Sequence, residues 1–110
     1  MVRARREELL ASDPSYSLRR TADRVGVSPG YLSQVETGKQ SPTEERIRAI
    51  AAALDLDPDV ALAAAGMVSD DLIAVITARP EAFTRLIRQL RDMPEHAVLR
   101  LAREVEDGDW

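Results

Sequence analysis

Ser28, Gly30, Ser33, Gln34 and Thr37 share the outer, N-terminal side of one short helix expected over 28–37, and none of them is a reactive group. Hydroxyls and a carboxamide make directional hydrogen bonds. That is the chemistry that reads base edges in a major groove, and a helix N-terminus turned the same way favours phosphate. Arg19, Arg20 and Arg24 precede this set and Lys39 follows it, so cations flank the hydrogen-bonding groups on both sides. Covalent and metal chemistry lack their usual residues. The chain has no cysteine and one histidine, His96, which rules out thiolate or Fe–S ligation, a cysteine nucleophile and a histidine-based metal site. With no constellation of catalytic type in the sequence, no catalytic residue, no metal ligand and no cofactor is expected, and the chain reads as a non-enzyme.

The reach of those side chains depends on two short helices and the turn between them. Residues 17–38 read SLRRTADRVGVSPGYLSQVETG. Ser17 is placed to cap a helix over 18–25, and Gly26 to end it in a left-handed conformation that a Cβ would oppose. Ser28 and Pro29 then cap and start the next helix, with Gly38 as its stop. Ala22 is small enough for a close helix crossing, and Val25, Val27, Leu32 and Val35 form a shared apolar seam. This is helix-turn-helix spacing.

The apolar period is helical along the whole chain, which predicts an all-α fold. A weakly patterned helix over 3–11, around Leu9 and Leu10, ends in the turn cluster Ser12-Asp13-Pro14-Ser15. Ser41-Pro42-Thr43-Glu44 reads as a capping box opening a fourth helix with Ile47, Ile50, Ala51 and Leu54 inward. Asp57-Pro58 opens a fifth, closed by Gly66. Ser69 caps a sixth, with Leu72, Ile73 and Ile76 inward, which ends before Pro80. A seventh over about 81–92 and an eighth over about 94–106 each carry an apolar stripe.

A chain of 110 residues holds one small domain, or one with an appended piece. The expected division falls at Gly66 to Ser69, giving a five-helix domain over 1–66 and a three-helix segment over 67–110. Charge divides in a similar way. The net −4 conceals nine Arg/Lys against seven Asp/Glu in residues 1–54, and six against twelve in 55–110. Phosphate repulsion therefore points to the first half as the one able to meet nucleic acid. An aromatic content of 4% is too low for a single-strand or RNA stacking platform, which leaves duplex DNA. No run approaches the roughly 18 apolar residues of a membrane helix, and Met1 to Arg6 runs into charge rather than a signal core. The expected location is the cytoplasm, with no membrane partner.

The motif VGVSPGYLSQVETGK followed by SPTEERIRAIAAALDLDPD resembles the Cro and lambda-repressor-like helix-turn-helix family, also called the XRE family, over about residues 3–66. The resemblance implies a transcriptional regulator that binds double-stranded DNA. It sets Ser28, Pro29, Gly30, Ser33 and Gln34 at base edges, and Leu18, Arg19, Tyr31, Thr37, Lys39 and Gln40 near the DNA backbone. It also implies that Glu36 pairs internally with an arginine of the first helix, Arg6 ahead of Arg3. Two positions depart from the family pattern. Thr21 stands where a leucine is usual, and Leu18 where a glutamine often meets phosphate, which passes that contact to Arg19 and Arg20. Pro29 and Gly30 bring no side-chain donors, so sequence reading leans on Ser33, Gln34 and DNA shape. Tyr31 has a second reading as a ring packed between helices, and Lys39 as a cation favoured by a helix C-terminus.

Phe83, Leu86, Ile87 and Leu90 in the seventh helix and Val98, Leu101, Ala102 and Val105 in the eighth exceed what one small chain hides. Met93 and Leu99 add apolar surface outside both stripes. These residues are expected to be both local core and a homodimer interface. Together the features predict a homodimeric repressor reading a (pseudo)palindromic operator through residues 28–37. The alternative is an antitoxin or adaptor whose acidic C-terminal helices bind a partner protein such as a toxin, its DNA binding being autoregulatory. A third reading is a regulator cut by a dedicated regulatory protease.

Overall fold

The computed structural model describes residues 1–108, and every regular element in it is helical. In chain order these are α1 (Val2–Leu10), a 3-10 turn (Pro14–Tyr16), α2 (Leu18–Val25), α3 (Pro29–Glu36), α4 (Glu44–Ala53) and α5 (Pro58–Ala64). They are followed by α6 (Asp70–Ala78), α7 (Pro80–Leu90) and α8 (Glu95–Glu106). The chain separates into two compact units, Met1–Ser69 and a second that begins at Asp70. Among the described residues, no helix is long and apolar enough to cross a membrane.

In the first unit the apolar stripe of α4 organises the packing. Ile50 and Leu54, on one side of the stripe, close a cluster with Ala22 of α2 and Leu32 of α3, ringed by Leu9, Tyr16, Leu18, Val25, Val27 and Val35. Ile47 and Ala51, on the other side, close a second cluster with Ala61 and Leu62 of α5, to which Met67 adds. Leu56 borders both. Each fully buried leucine or isoleucine contributes about 1.5–3 kcal/mol, and Leu54→Ala would cost about 2–5 kcal/mol because the cavity cannot collapse fully. Thr21 is also wholly buried, so a hydroxyl stands in the core.

Caps set the helix ends. Ser17 Oγ accepts from Arg20 N at 3.2 Å, and Asp57 Oδ1 accepts from Asp59 N at 2.8 Å. The capping box expected from Ser41 does not form, and the helix is capped two residues later. Thr43 is the N-cap, its Oγ1 accepting from Arg46 N at 3.3 Å, and Pro42 lies outside the helix. Residues 14–16, expected as turn, wind into a 3-10 helix because Asp13 Oδ1 accepts from Ser15 N at 2.9 Å ahead of a proline that presets φ. At the C-terminus of α4, Arg5 Nε donates to the carbonyl of Leu54 at 3.0 Å, which satisfies a helix-end acceptor.

In the second unit α6 packs against α7. The inward placement expected for Leu72 and Ile73 does not hold within one chain. Both are exposed, and only Ile76 of that set is half-buried. Nothing from α6 to α8 reaches the buried state, because three short helices do not enclose a centre.

Candidate DNA interface

Two short helices and a turn present the expected binding groups. At the end of α2, Gly26 takes φ +86°, Val27 N donates to Ala22 O at 3.0 Å, and the chain reverses within three residues to Ser28. Ser28 Oγ accepts from Tyr31 N at 3.0 Å and Pro29 occupies the first helical position, so α3 starts at a defined angle. At its other end Gly38 takes φ +77°, while Lys39 N and Gly38 N donate to Gln34 O and Val35 O at 2.8 and 3.2 Å. This double bond pattern closes the helix.

α3 is held from behind by an ion pair. Arg6 Nε donates to Glu36 Oε2 at 2.7 Å and Arg6 Nη2 to Glu36 Oε1 at 3.0 Å, while Arg6 Nη1 donates to the Tyr16 carbonyl at 3.2 Å. Hydrogen bonding to Glu36, opposed in part by desolvation, pushes Arg6 above the ordinary arginine range. The arginine chosen from the sequence is the one that pairs. Arg3 instead reaches Glu7 at the surface, at 3.1 Å.

The groups assigned to base edges are on the exposed side of α3. Ser28, Pro29, Gly30 and Gln34 are exposed and Ser33 is half-buried. The Gln34 carboxamide makes no hydrogen bond with the described residues and keeps both donors and its acceptor available. An added Cβ at Gly30 would meet nothing within 4 Å, so the helix backbone there is open to close approach. Ser28 Oγ accepts the Tyr31 amide but can still donate.

The groups assigned to the DNA backbone are less uniform. Arg19, Arg20, Lys39 and Gln40 are exposed. Thr37 is exposed too, but its hydroxyl donates to Ser33 O at 3.0 Å within its own helix, which leaves it only an acceptor to offer. Leu18 packs against the core cluster. Tyr31 is half-buried, with the guanidinium carbon of Arg46 at 4.7 Å from its ring centroid. Arg24 is used in the scaffold: Nη1 donates to Ser15 O at 2.6 Å and its guanidinium lies 4.8 Å from the Tyr16 ring.

Among the cations of the first unit, Arg3, Arg5, Arg6 and Arg48 meet Glu7, Glu8, Glu36 and Glu44. Arg19, Arg20, Arg24, Lys39 and Arg46 form no ion pair with the described residues. The unneutralised charge therefore lies on α2, just beyond α3 and on the first turn of α4. Sequence reasoning missed Arg46. Its signal was the Thr43 cap, which begins α4 two residues later than the Ser41 box and sets Arg46 in the first turn. Among the described residues, no group of His, Asp and Glu has the arrangement of a metal site.

The residues expected at an interface divide in two. Phe83, Leu90, Val98 and Leu101 are half-buried, whereas Leu86, Ile87, Met93, Leu99, Ala102 and Val105 are exposed.

Residues 15–60 match the helix-turn-helix family. Two curated relatives, each the transcriptional regulator ClgR of Mycobacterium tuberculosis (strains CDC 1551 / Oshkosh and ATCC 25618 / H37Rv), are 44% identical over 50 residues. That stretch is 46% of this chain and 45% of the relatives, so the match spans under half of their length. No solved structure matches. The capped α2, the glycine turn and the exposed polar face of α3 all lie inside the matched stretch, and residues 15–60 are a DNA-binding helix-turn-helix domain of the XRE, or Cro and lambda-repressor-like, family.

Proposed function

We propose that the chain is a cytoplasmic, homodimeric transcriptional repressor that reads a (pseudo)palindromic operator through residues 28–37. The observation that carries the reading is the free Gln34 carboxamide on the exposed side of α3, in a unit where Arg19, Arg20 and Lys39 are exposed and form no ion pair with the described residues. The similarity of residues 15–60 to helix-turn-helix proteins, two of them named transcriptional regulators, supports it. One α3 offers few readers, at about 1–3 kcal/mol per good base contact. A two-fold pair reads two half-sites.

The dimer is assigned to the three C-terminal helices. Leu86, Ile87, Leu99 and Val105 are 46%, 51%, 54% and 56% exposed, an apolar surface that needs a cover. The same surface supports the second reading, an antitoxin or adaptor with a heterologous partner, and sedimentation of the purified chain separates the two. Selection from random duplex sequences followed by footprinting tests the operator. Enrichment of a symmetric site is expected, and failure to enrich any site would remove the repressor reading.

A further inference from the structure

We propose that Arg46 anchors the duplex backbone beside α3, with the Tyr31 ring as the platform that fixes its guanidinium; this rests on the DNA-binding reading above. The guanidinium carbon lies 4.7 Å from the ring centroid, within the range of cation–π attraction, and the contact joins the first turn of α3 to the first turn of α4. The contact engages the charge and not the N–H groups, and no Arg46 side-chain donor is hydrogen-bonded to the described residues. A guanidinium fork fixed in this way loses little freedom on meeting a phosphate. The surrounding carboxylates do not claim it. Glu44 Oε1 accepts from Arg48 Nε and Nη2 at 3.2 and 3.0 Å, and the exposed Glu45 forms no ion pair with the described residues. Tyr31 follows Gly30 directly and lies one helical turn before Gln34. A phosphate held over it therefore borders the groove wall next to the bases that Gln34 faces.

The test is fluorescence-anisotropy binding to a random-sequence duplex of about 20 base pairs across a salt series. Arg46→Ala should lower the slope of log affinity against log salt by about one, while Arg46→Lys keeps the slope. Tyr31→Leu should weaken binding and have no further effect in an Arg46→Ala background. Arg46 is exposed, so truncation should leave thermal melting close to that of the parent. A slope unchanged by Arg46→Ala but lowered by Arg19→Ala would make the stack a structural clamp and overturn the proposal. A parent protein that binds no duplex at low salt would instead remove the DNA-binding reading, and the proposal with it.

Discussion

Arg6 and Glu36, thirty residues apart, meet in a two-bonded ion pair with side chains only 9% and 4% exposed. The pair pins the C-terminal end of α3 to α1. A buried pair is costly to desolvate, so its presence says more about where α3 is held than about how stable the domain is.

Removing one partner strands the other. Glu36→Ala should destabilise the domain by about 3–5 kcal/mol, read by denaturant melting, whereas Arg6→Met with Glu36→Leu should come close to the parent. Single and double variants of equal stability would show that the pair is solvated in solution.

The glycines of the motif should respond in opposite directions. At Gly26 an added Cβ meets nothing within 4 Å, but φ is +86°, so Gly26→Ala should cost about 1–2 kcal/mol from backbone strain alone. Gly30 has the same open space inside a helix, and Gly30→Ala should gain up to about 1 kcal/mol of stability. Its methyl group would face the duplex, so operator affinity should fall as the melting temperature rises. A Gly30→Ala protein that is more stable and binds as well as the parent would place that part of α3 away from DNA.

Acid should loosen the 3-10 turn before α2. The Ser15 backbone N–H, then the Ser15 hydroxyl, and to a lesser degree Arg24 and Arg20, hold the Asp13 carboxyl below the ordinary aspartate range. A value lower in the fold than in the unfolded chain contributes stability above the unfolded value of about 3.9. That contribution is lost as pH falls through the folded value. Asp13→Asn keeps an acceptor but removes the titration, so its melting temperature should fall less steeply than the parent's below about pH 4. Parallel acid limbs would exclude Asp13 as the source.

The helices of the first unit were legible because their ends are local events. Ser17, Ser28 and Asp57 cap through neighbours two or three residues away, and those bonds are present. Thr43 took the role expected of Ser41 because both offer a hydroxyl and spacing alone does not choose between them. The Tyr31 and Arg46 contact spans the loop between α3 and α4, whose path no periodicity encodes. For Leu72 and Ile73 the periodicity marked an apolar face correctly, but a pattern names no cover, and within one chain these residues stay exposed.

The exposed apolar residues of α7 and α8 yield the prediction on assembly. Leu86, Ile87, Leu99 and Val105 expose side chains of the size that usually forms a core, and their burial against a second copy would return about 1.5–3 kcal/mol each. Met67 packs on the cluster of Ile47, Ala51, Ala61 and Leu62, and Ser69 is 2% exposed, so a truncation that spares the first unit belongs after Ser69. The truncated chain should sediment as a folded monomer, and Ile87→Glu with Leu99→Glu in the full chain should do the same. Operator affinity should drop by orders of magnitude in both, because one recognition helix then reads one half-site, while binding to random duplex falls far less. A truncated chain that remains dimeric would move the interface into the first unit. A parent chain that is monomeric at micromolar concentration would assign the exposed leucines and isoleucine to a different protein, and the interaction-module reading would replace the homodimer.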